Sequence, residues 1–133
     1  MTVSEHNLDM VAAEVGFKLA ETFKSKNDAE KLENLITKSL GILIEDGLFA
    51  CAVWLESRSD KEKEYATEIS NKCMELLKDE RIKLARNETA SLREITLSIS
   101  DSIQKTLLGR QLLERMLIYA RYRAKALQKG ETE

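Results

Sequence analysis

The chain has 133 residues, no proline and only five glycines, and 33% of its residues are charged with a formal net charge of −2. Proline and glycine are the residues that break or weaken helices, so this composition favours long helices and argues against an all-β fold. The length fits one domain over residues 1–133, and a domain of this size buries enough surface to fold without disulfides or a metal.

The first two predicted helices occupy the N-terminal third of the chain. Apolar residues recur every three or four positions over residues 4–24, which is the spacing of one helix face. Asn27 and Glu30 fit a capping box that opens the second helix. Gly47 is expected to end it, because glycine readily adopts the left-handed conformation that closes helices.

The third predicted helix, Leu48–Glu56, is apolar nearly all round. Such a helix normally lies at the centre of a core, and Trp54 is expected to anchor that core. A ligand pocket near Trp54 would make the chain a small-molecule-responsive regulator. The sequence shows no polar residues that converge there, so this alternative has the weakest support.

The sequence from Ser59 onward predicts three more helices. Ser59 and Glu62 fit a capping box before a fourth helix, which is expected to end near Lys83. Its buried face comprises Tyr65, Ala66, Ile69, Cys73, Leu76 and Leu77. A loop is expected over residues 85–90, and Ser91 with Glu94 then caps a short fifth helix. The sequence therefore predicts an all-α, single-domain bundle of about five to six helices with a long C-terminal helix.

The last predicted helix begins at a capping pair, Asp101 and Gln104, and ends near Gln128, with Gly130 as its terminator. Residues 102–129 include seven basic side chains and one acidic side chain, a local net charge of +6. At 100° per residue, five of the basic residues fall within an arc of about 140°. They are Arg110, Arg115, Arg121, Lys125 and Lys129. The opposite side is expected to face the core through Leu108, Leu112, Leu113, Met116, Tyr119 and Leu127.

Apolar residues also fall within the basic arc, namely Ile103, Leu107, Ile118 and Tyr122. Cations mixed with apolar groups suit contact with a partner protein. They also suit RNA, where arginines hold phosphates and an aromatic ring stacks on bases. A plainer alternative is a solvated face that acids shield, since residues 1–80 hold 10 basic and 17 acidic side chains (−7) and residues 81–133 hold 11 and 6 (+5).

Motifs for catalysis and for cofactor binding are not found in the sequence. It has no phosphate-binding loop, dinucleotide fingerprint or nucleophile elbow, so we expect no enzyme and no cofactor. One histidine, His6, and two cysteines 22 positions apart do not resemble a metal-ligand set, and Cys51 and Cys73 fit apolar patterns as reduced core residues. No leader and no apolar span of about 20 residues is visible, so a cytoplasmic location without membrane contact is expected.

Two stretches resemble a known family. In the first, an apolar helix ends in Gly47-Leu48 and the next short helix carries Trp54-Leu55. In the second, residues 112–127 present an aromatic residue, then basic residues, then an alanine-rich end. Both stretches are similar to the small all-helical subunit of type III-B CRISPR (Cmr) effector complexes.

The resemblance implies a non-catalytic subunit, copies of which stack beside the guide RNA and help to hold the guide–target RNA duplex in antiviral defence. Its partners would be other Cmr subunits, copies of itself and the RNA backbone. The residues expected to contact the backbone are Arg110, Arg115, Arg121, Lys125 and Lys129. Such contacts need no sequence readout, because base pairing supplies specificity.

A helical protein–protein adaptor that binds no nucleic acid is the main alternative. Arg123 lies on the other side of the last helix and is expected to pair with a buried or interfacial acid. The chain is close to neutral overall, so RNA binding would depend on assembly with other subunits, and the isolated protein is expected to hold RNA weakly.

Overall fold

The computed structural model describes residues 2–23, 25–85 and 90–130, and six α-helices account for most of them. In chain order they are α1 (Thr2–Ala20), α2 (Lys26–Asp46), α3 (Leu48–Glu56), α4 (Lys63–Lys78), α5 (Leu92–Ile99) and α6 (Ile103–Gly130). A single 3-10 turn, Asp60–Glu62, precedes α4. The predicted all-α fold with a long C-terminal helix is confirmed. Most of the loop predicted at residues 85–90, namely 86–89, lies outside the described residues.

The start of α2 differs from the prediction. The cap is Ser25, whose Oγ accepts a hydrogen bond from the Asp28 backbone N–H at 3.0 Å. The capping box predicted at Asn27 and Glu30 is wrong, because the helix already begins at Lys26 and places both residues inside its first turns. The predicted end is confirmed: Gly47 has φ of +103°, and its N–H donates to carbonyl oxygens in the last turn of α2.

Ser91 and Glu94 form the predicted capping box. Ser91 Oγ accepts from the Glu94 N–H at 3.1 Å, and Glu94 Oε1 accepts from the Ser91 N–H at 2.9 Å. Ser59 makes no such bond, since the 3-10 turn separates it from α4. The capping box predicted there is wrong.

The end of α4 and the start of α6 also differ from the prediction. α4 ends at Lys78, five positions before the predicted Lys83. The segment after it turns back on itself, with the Lys83 N–H donating to the Asp79 carbonyl at 2.8 Å. At the start of α6, Ser102 Oγ accepts from the Lys105 N–H at 3.2 Å, so Ser102 takes the capping role that the sequence assigned to Asp101.

One cluster of buried apolar residues draws on all six helices. All six residues predicted for the inner face of α4 are buried. α3 contributes Leu48, Cys51, Ala52 and Leu55. Trp54 lies half-buried at the edge of the cluster, so it covers the core instead of anchoring it.

α6 packs mainly against α1 and α2. Polar contacts from Asp9 to Arg115 and from Glu21 to Arg123 show that α1 runs parallel to α6. A contact from Ile44 to Arg110 and a contact from Glu33 to Lys125 show that α2 runs antiparallel to it. The three longest helices are therefore aligned side by side.

A close approach of α1 to α6 depends on small residues. A Cβ atom placed on Gly16 would lie 2.5 Å from the Met116 carbonyl oxygen and 3.1 Å from the Ala120 backbone nitrogen. Ala12 and Ala20, one turn away on either side of Gly16, are fully buried. No larger side chain fits at Gly16 unless the two backbones move apart.

Both cysteines are free and buried, as predicted. Burial raises the pKa of Cys51 to about 12 and raises the pKa of Cys73 well above its usual value. Cys51 Sγ also donates to the Ser39 carbonyl oxygen at 3.5 Å. Across the ranges that the structure describes, no helix is both long enough and apolar enough to cross a membrane.

Candidate nucleic-acid interface on the C-terminal helix

α6 buries one side and exposes the other along its 28 residues. Of the six residues predicted to face the core, Leu112, Leu113 and Met116 are buried, and the other three are only half-buried. Residues that the prediction left out are also buried, among them Leu117, Ala120 and Ala124. The buried face is therefore rotated by about 50° from the predicted one.

The rotation follows from the alanines. Counting large apolar side chains places the centre of the face near Met116, whereas α1 approaches α6 closely at Ala120, and Ala124 one turn later is also fully buried. Ile118, within the predicted basic arc, is half-buried and packs against the core. Ile103, Leu107 and Tyr122 stay outside, with 80%, 54% and 65% of their surfaces exposed.

Arg110 stabilises the fold through a hydrogen bond to α2. Its Nη2 atom donates to the Ile44 carbonyl oxygen at 3.0 Å. That oxygen belongs to the last turn of α2, where carbonyl groups lack partners within the helix. Arg110 therefore caps the C-terminus of α2, and the same guanidinium has fewer donors left for a phosphate.

Arg115 belongs to a surface clamp between α1 and α6. Asp9 Oδ1 accepts from Arg115 Nε at 2.9 Å, and Asp9 Oδ2 accepts from the Tyr119 hydroxyl at 2.6 Å. These two bonds, with the Tyr119 bond the stronger influence, lower the pKa of the Asp9 carboxyl below its ordinary value. The clamp is largely exposed, so solvent screens it.

Arg123 and Lys125 also face acids. Arg123 Nε donates to Glu21 Oε2 at 2.8 Å, and its guanidinium lies 5.6 Å from the Phe17 ring centroid. Arg123 thus pairs with an acid as predicted, although Glu21 is exposed and not buried. Lys125 Nζ lies 3.8 Å from Glu33 Oε2, at the outer limit of an ion pair.

The last three turns of α6 carry three cations of the basic arc, Arg121, Lys125 and Lys129. Arg121 is partly exposed and has no hydrogen-bond or ion-pair partner within the part of the chain that the structure describes. Lys125 and Lys129 are exposed and follow Arg121 at intervals of four residues, so the three cations recur at about 6 Å along the helix axis. The exposed ring of Tyr122 lies beside this row.

The fold thus brings part of the acidic first half onto the basic last helix. Asp9, Glu21 and Glu33 each meet a cation of α6. Exposed ion pairs of this kind contribute about 0–1 kcal/mol, so a phosphate can compete for the same cations. The shielding alternative therefore holds for Arg115, Arg123 and, at a longer distance, Lys125, whereas Arg121 pairs with no acid of the described residues.

The five cations are grouped in the sequence by helical angle alone. That angle does not show which residues form hydrogen bonds or ion pairs with Arg110, Arg115 and Lys125. Each occupying acid lies roughly 100 positions away in the chain, and no local spacing signals such a pair. Within residues 2–23, 25–85 and 90–130, no group of three or more His, Cys, Asp or Glu side chains could hold a metal ion.

No protein-family model matches the chain, and neither a curated protein nor a solved structure matches it. The resemblance to Cmr small subunits stays a prediction.

Proposed function

We propose that the chain is a non-catalytic structural subunit of a type III-B CRISPR (Cmr) ribonucleoprotein effector, in which α6 lies along the guide–target RNA duplex. The observation that carries the proposal is the row Arg121, Lys125 and Lys129, one turn apart, beside the exposed ring of Tyr122. The all-helical architecture and the 28-residue last helix agree with the resemblance over residues 112–127.

The chemistry of the row suits a nucleic-acid backbone. Lysine and arginine bind phosphates through charge and release counterions, which gives affinity without sequence readout. An exposed tyrosine ring adds a surface on which a base or sugar can pack. A subunit that supports a base-paired duplex needs nothing more, because pairing already selects the target.

The contacts on α6 divide the predicted RNA-binding residues into two groups. Arg110 caps α2 and Arg115 joins α1 to α6, so both contribute to the fold. Arg121, Lys125 and Lys129 occupy the accessible end, and we assign the main backbone contacts to them. A net charge of −2 keeps affinity low for the isolated chain, so the contacts act within an assembly.

The first test is a tagged pull-down from native cells, with mass spectrometry of the proteins and sequencing of the RNA. Recovery of several CRISPR-associated proteins together with short guide RNAs supports the proposal. Recovery of a complex that contains no RNA contradicts it.

The second test reverses charge on the accessible row. In the assembled complex, the double variant Arg121→Glu with Lys125→Glu should weaken RNA retention and lower the salt dependence of log K by about 0.7–0.9 for each lost phosphate contact. Lys105→Glu is the matched control, because Lys105 is an exposed cation of the same helix about 160° around and about 24 Å along the axis from Arg121. If the wild-type complex, the double variant and the Lys105→Glu control retain RNA equally at every salt concentration, the result counts against the proposal.

A second candidate function is a helical adaptor that binds protein only. Ile103 and Leu107 are exposed at the start of α6, and the Arg110–Ile44 contact places the exposed Ile44 side chain at the same end of the molecule. Apolar surface of this kind suits a protein partner. If Leu107→Asp abolishes partner recovery and the double charge reversal does not, the adaptor is the better description.

A further inference from the structure

A groove on the other side of the bundle is formed by α3, α4, α5 and the turns beside them, and α6 contributes nothing to its lining. It encloses about 280 Å³. Its floor is apolar, with Leu55, Met74 and Leu92 from three different helices. Polar side chains surround this floor, whereas no polar residues were expected to converge near Trp54.

Three cations line the groove, Arg58, Lys63 and Arg93, against one acid, Glu56. The lining therefore has a net charge of +2, although two of the three cations lie in the part of the chain, residues 1–80, whose net charge is −7. Arg93 Nε donates a hydrogen bond to Glu56 Oε1 at 2.8 Å, and the guanidinium has further N–H donors. Arg58 is likewise paired with Glu62 beside the groove, so both guanidinium groups would meet an anion through their remaining N–H donors.

Arg58 is held in a fixed orientation. Its guanidinium carbon lies 4.3 Å from the centroid of the Trp54 ring, and its Nε donates to the Trp54 carbonyl oxygen at 3.2 Å. Nη2 donates to Ser57 Oγ at 3.1 Å. A cation that is already ordered loses little side-chain entropy when an anion binds.

Lys63 is the first residue of α4 and is exposed, and it has no ion-pair partner in the described part of the chain. The nearest acid in the chain on its N-terminal side, Glu62, is already engaged by Lys38 at 3.5 Å and by Arg58 at 3.4 Å. α5 also begins at the groove, with Ser91 and Leu92 in the lining. The start of α5 is already capped by Ser91 and Glu94, so the positive end of the α4 dipole is the one that adds to the three cations.

The α4 side of the groove supplies neutral polar groups as well. Thr67, Ser70 and Asn71 offer two hydroxyls and an amide next to Met74. An anion-binding rim, neutral hydrogen-bonding groups and an apolar floor are the three parts that a small organic phosphate requires. The volume lies near the lower limit for ligand sites of roughly 300–1,000 Å³, so a large cofactor is too big for it.

We propose that this groove binds a small phosphorylated metabolite of the nucleoside monophosphate class. Its phosphate lies against Arg58, Lys63 and Arg93, and its uncharged ring lies over Leu55 and Met74. The site is independent of the RNA contacts proposed for α6.

Trp54 is the only tryptophan of the chain and stacks under Arg58, so its fluorescence reports on the groove. The full-length protein is titrated with adenosine monophosphate, with adenosine and with inorganic phosphate at constant ionic strength. We expect a saturable change with adenosine monophosphate, with half-saturation below about 1 mM. Adenosine lacks the anion and phosphate lacks the ring, so both should bind at least tenfold more weakly. No saturable response to adenosine monophosphate, or an equal response to inorganic phosphate, overturns the proposal.

Lys63→Ala tests the rim without disturbing the reporter, and calorimetry provides a second readout. Loss of one charge-assisted contact should weaken binding about tenfold. Lys61→Ala is the matched control, since Lys61 is exposed two residues earlier and does not line the groove. Equal weakening by both variants assigns the effect to general electrostatics and overturns the site. The double variant Arg121→Glu with Lys125→Glu should bind unchanged, which separates failure of this proposal from failure of the RNA proposal.

Discussion

The two halves of the helix bundle are held together in different ways. Between α1, α2 and α6, the specific polar contacts join positions far apart in the chain, as in the pairs of Arg115 with Asp9 and Arg123 with Glu21. Within α3, α4 and α5, many polar contacts are local, such as the Ser91 capping box and the Lys72–Glu68 pair. The short helices α3 and α5 meet α4 around the groove of about 280 Å³.

The largest expected effect distinguishes the two sides of α6. Leu117→Ala removes a fully buried side chain and should lower the free energy of unfolding by about 2–5 kcal/mol. Leu107→Ala changes a side chain that is more than half exposed and should cost less than about 0.5 kcal/mol. Urea denaturation of both variants gives the comparison. Similar losses would contradict the burial of Leu117 and the exposure of Leu107.

The next effect tests how closely α1 approaches α6. Gly16→Ala should destabilise the protein by about 1–3 kcal/mol, because the new methyl group meets the Met116 carbonyl oxygen and the helices must separate. Gly41→Ala is the matched control in α2, where a Cβ would meet nothing within 4 Å. There alanine should stabilise the helix by up to about 1 kcal/mol. Opposite signs in urea denaturation are expected, and two stabilising substitutions would contradict the close contact.

A smaller effect tests the local contacts of the short helices. Ser91→Ala removes a side-chain oxygen that accepts the Glu94 N–H, and the expected loss is about 1 kcal/mol. Ser59 makes no capping bond, so Ser59→Ala should change the free energy of unfolding by less than about 0.5 kcal/mol. Thermal unfolding of the two variants side by side decides the matter. An equal loss at Ser59 would restore the capping box that the sequence predicted there.

The smallest effect concerns the clamp of Asp9 with Tyr119 and Arg115. Because the pKa of Asp9 is lowered in the folded protein, its contribution to stability is present above the unfolded pKa and is lost as the pH falls through the folded value. Tyr119→Phe removes the strongest cause and should raise the pKa of Asp9 toward its ordinary value. Carboxyl chemical shifts followed by NMR against pH measure this directly. An unchanged midpoint in the variant would show that the hydroxyl does not bond to Asp9 in solution.

Elements with a local signal could be predicted from the sequence. The inner face of α4 follows from apolar spacing, and Gly47 ends α2 because few other residues adopt its φ angle. The start of α2 could not be decided in this way, since Ser25 and Asn27 are both good capping residues two positions apart.

Features that depend on contacts between distant segments could not be predicted. Ala120 is a small residue that gives no strong apolar signal, and its burial follows from the close approach of Gly16 in α1. The groove has the same origin, because Arg58, Lys63 and Arg93 belong to three separate segments and no motif joins them. The row of cations at the end of α6 was visible beforehand because it lies within one helix.

The two buried thiols allow the opening of the core around α3 and α4 to be timed by chemical modification. A thiol reacts as the thiolate, and Cys51 and Cys73 are both buried and have raised pKa values, so modification has to wait until α3 and α4 part from their neighbours. The labelling rate therefore measures how often this part of the core opens. The thiol reagent reacts with the protein's own cysteines, so no residue has to be introduced to compare opening rates between variants.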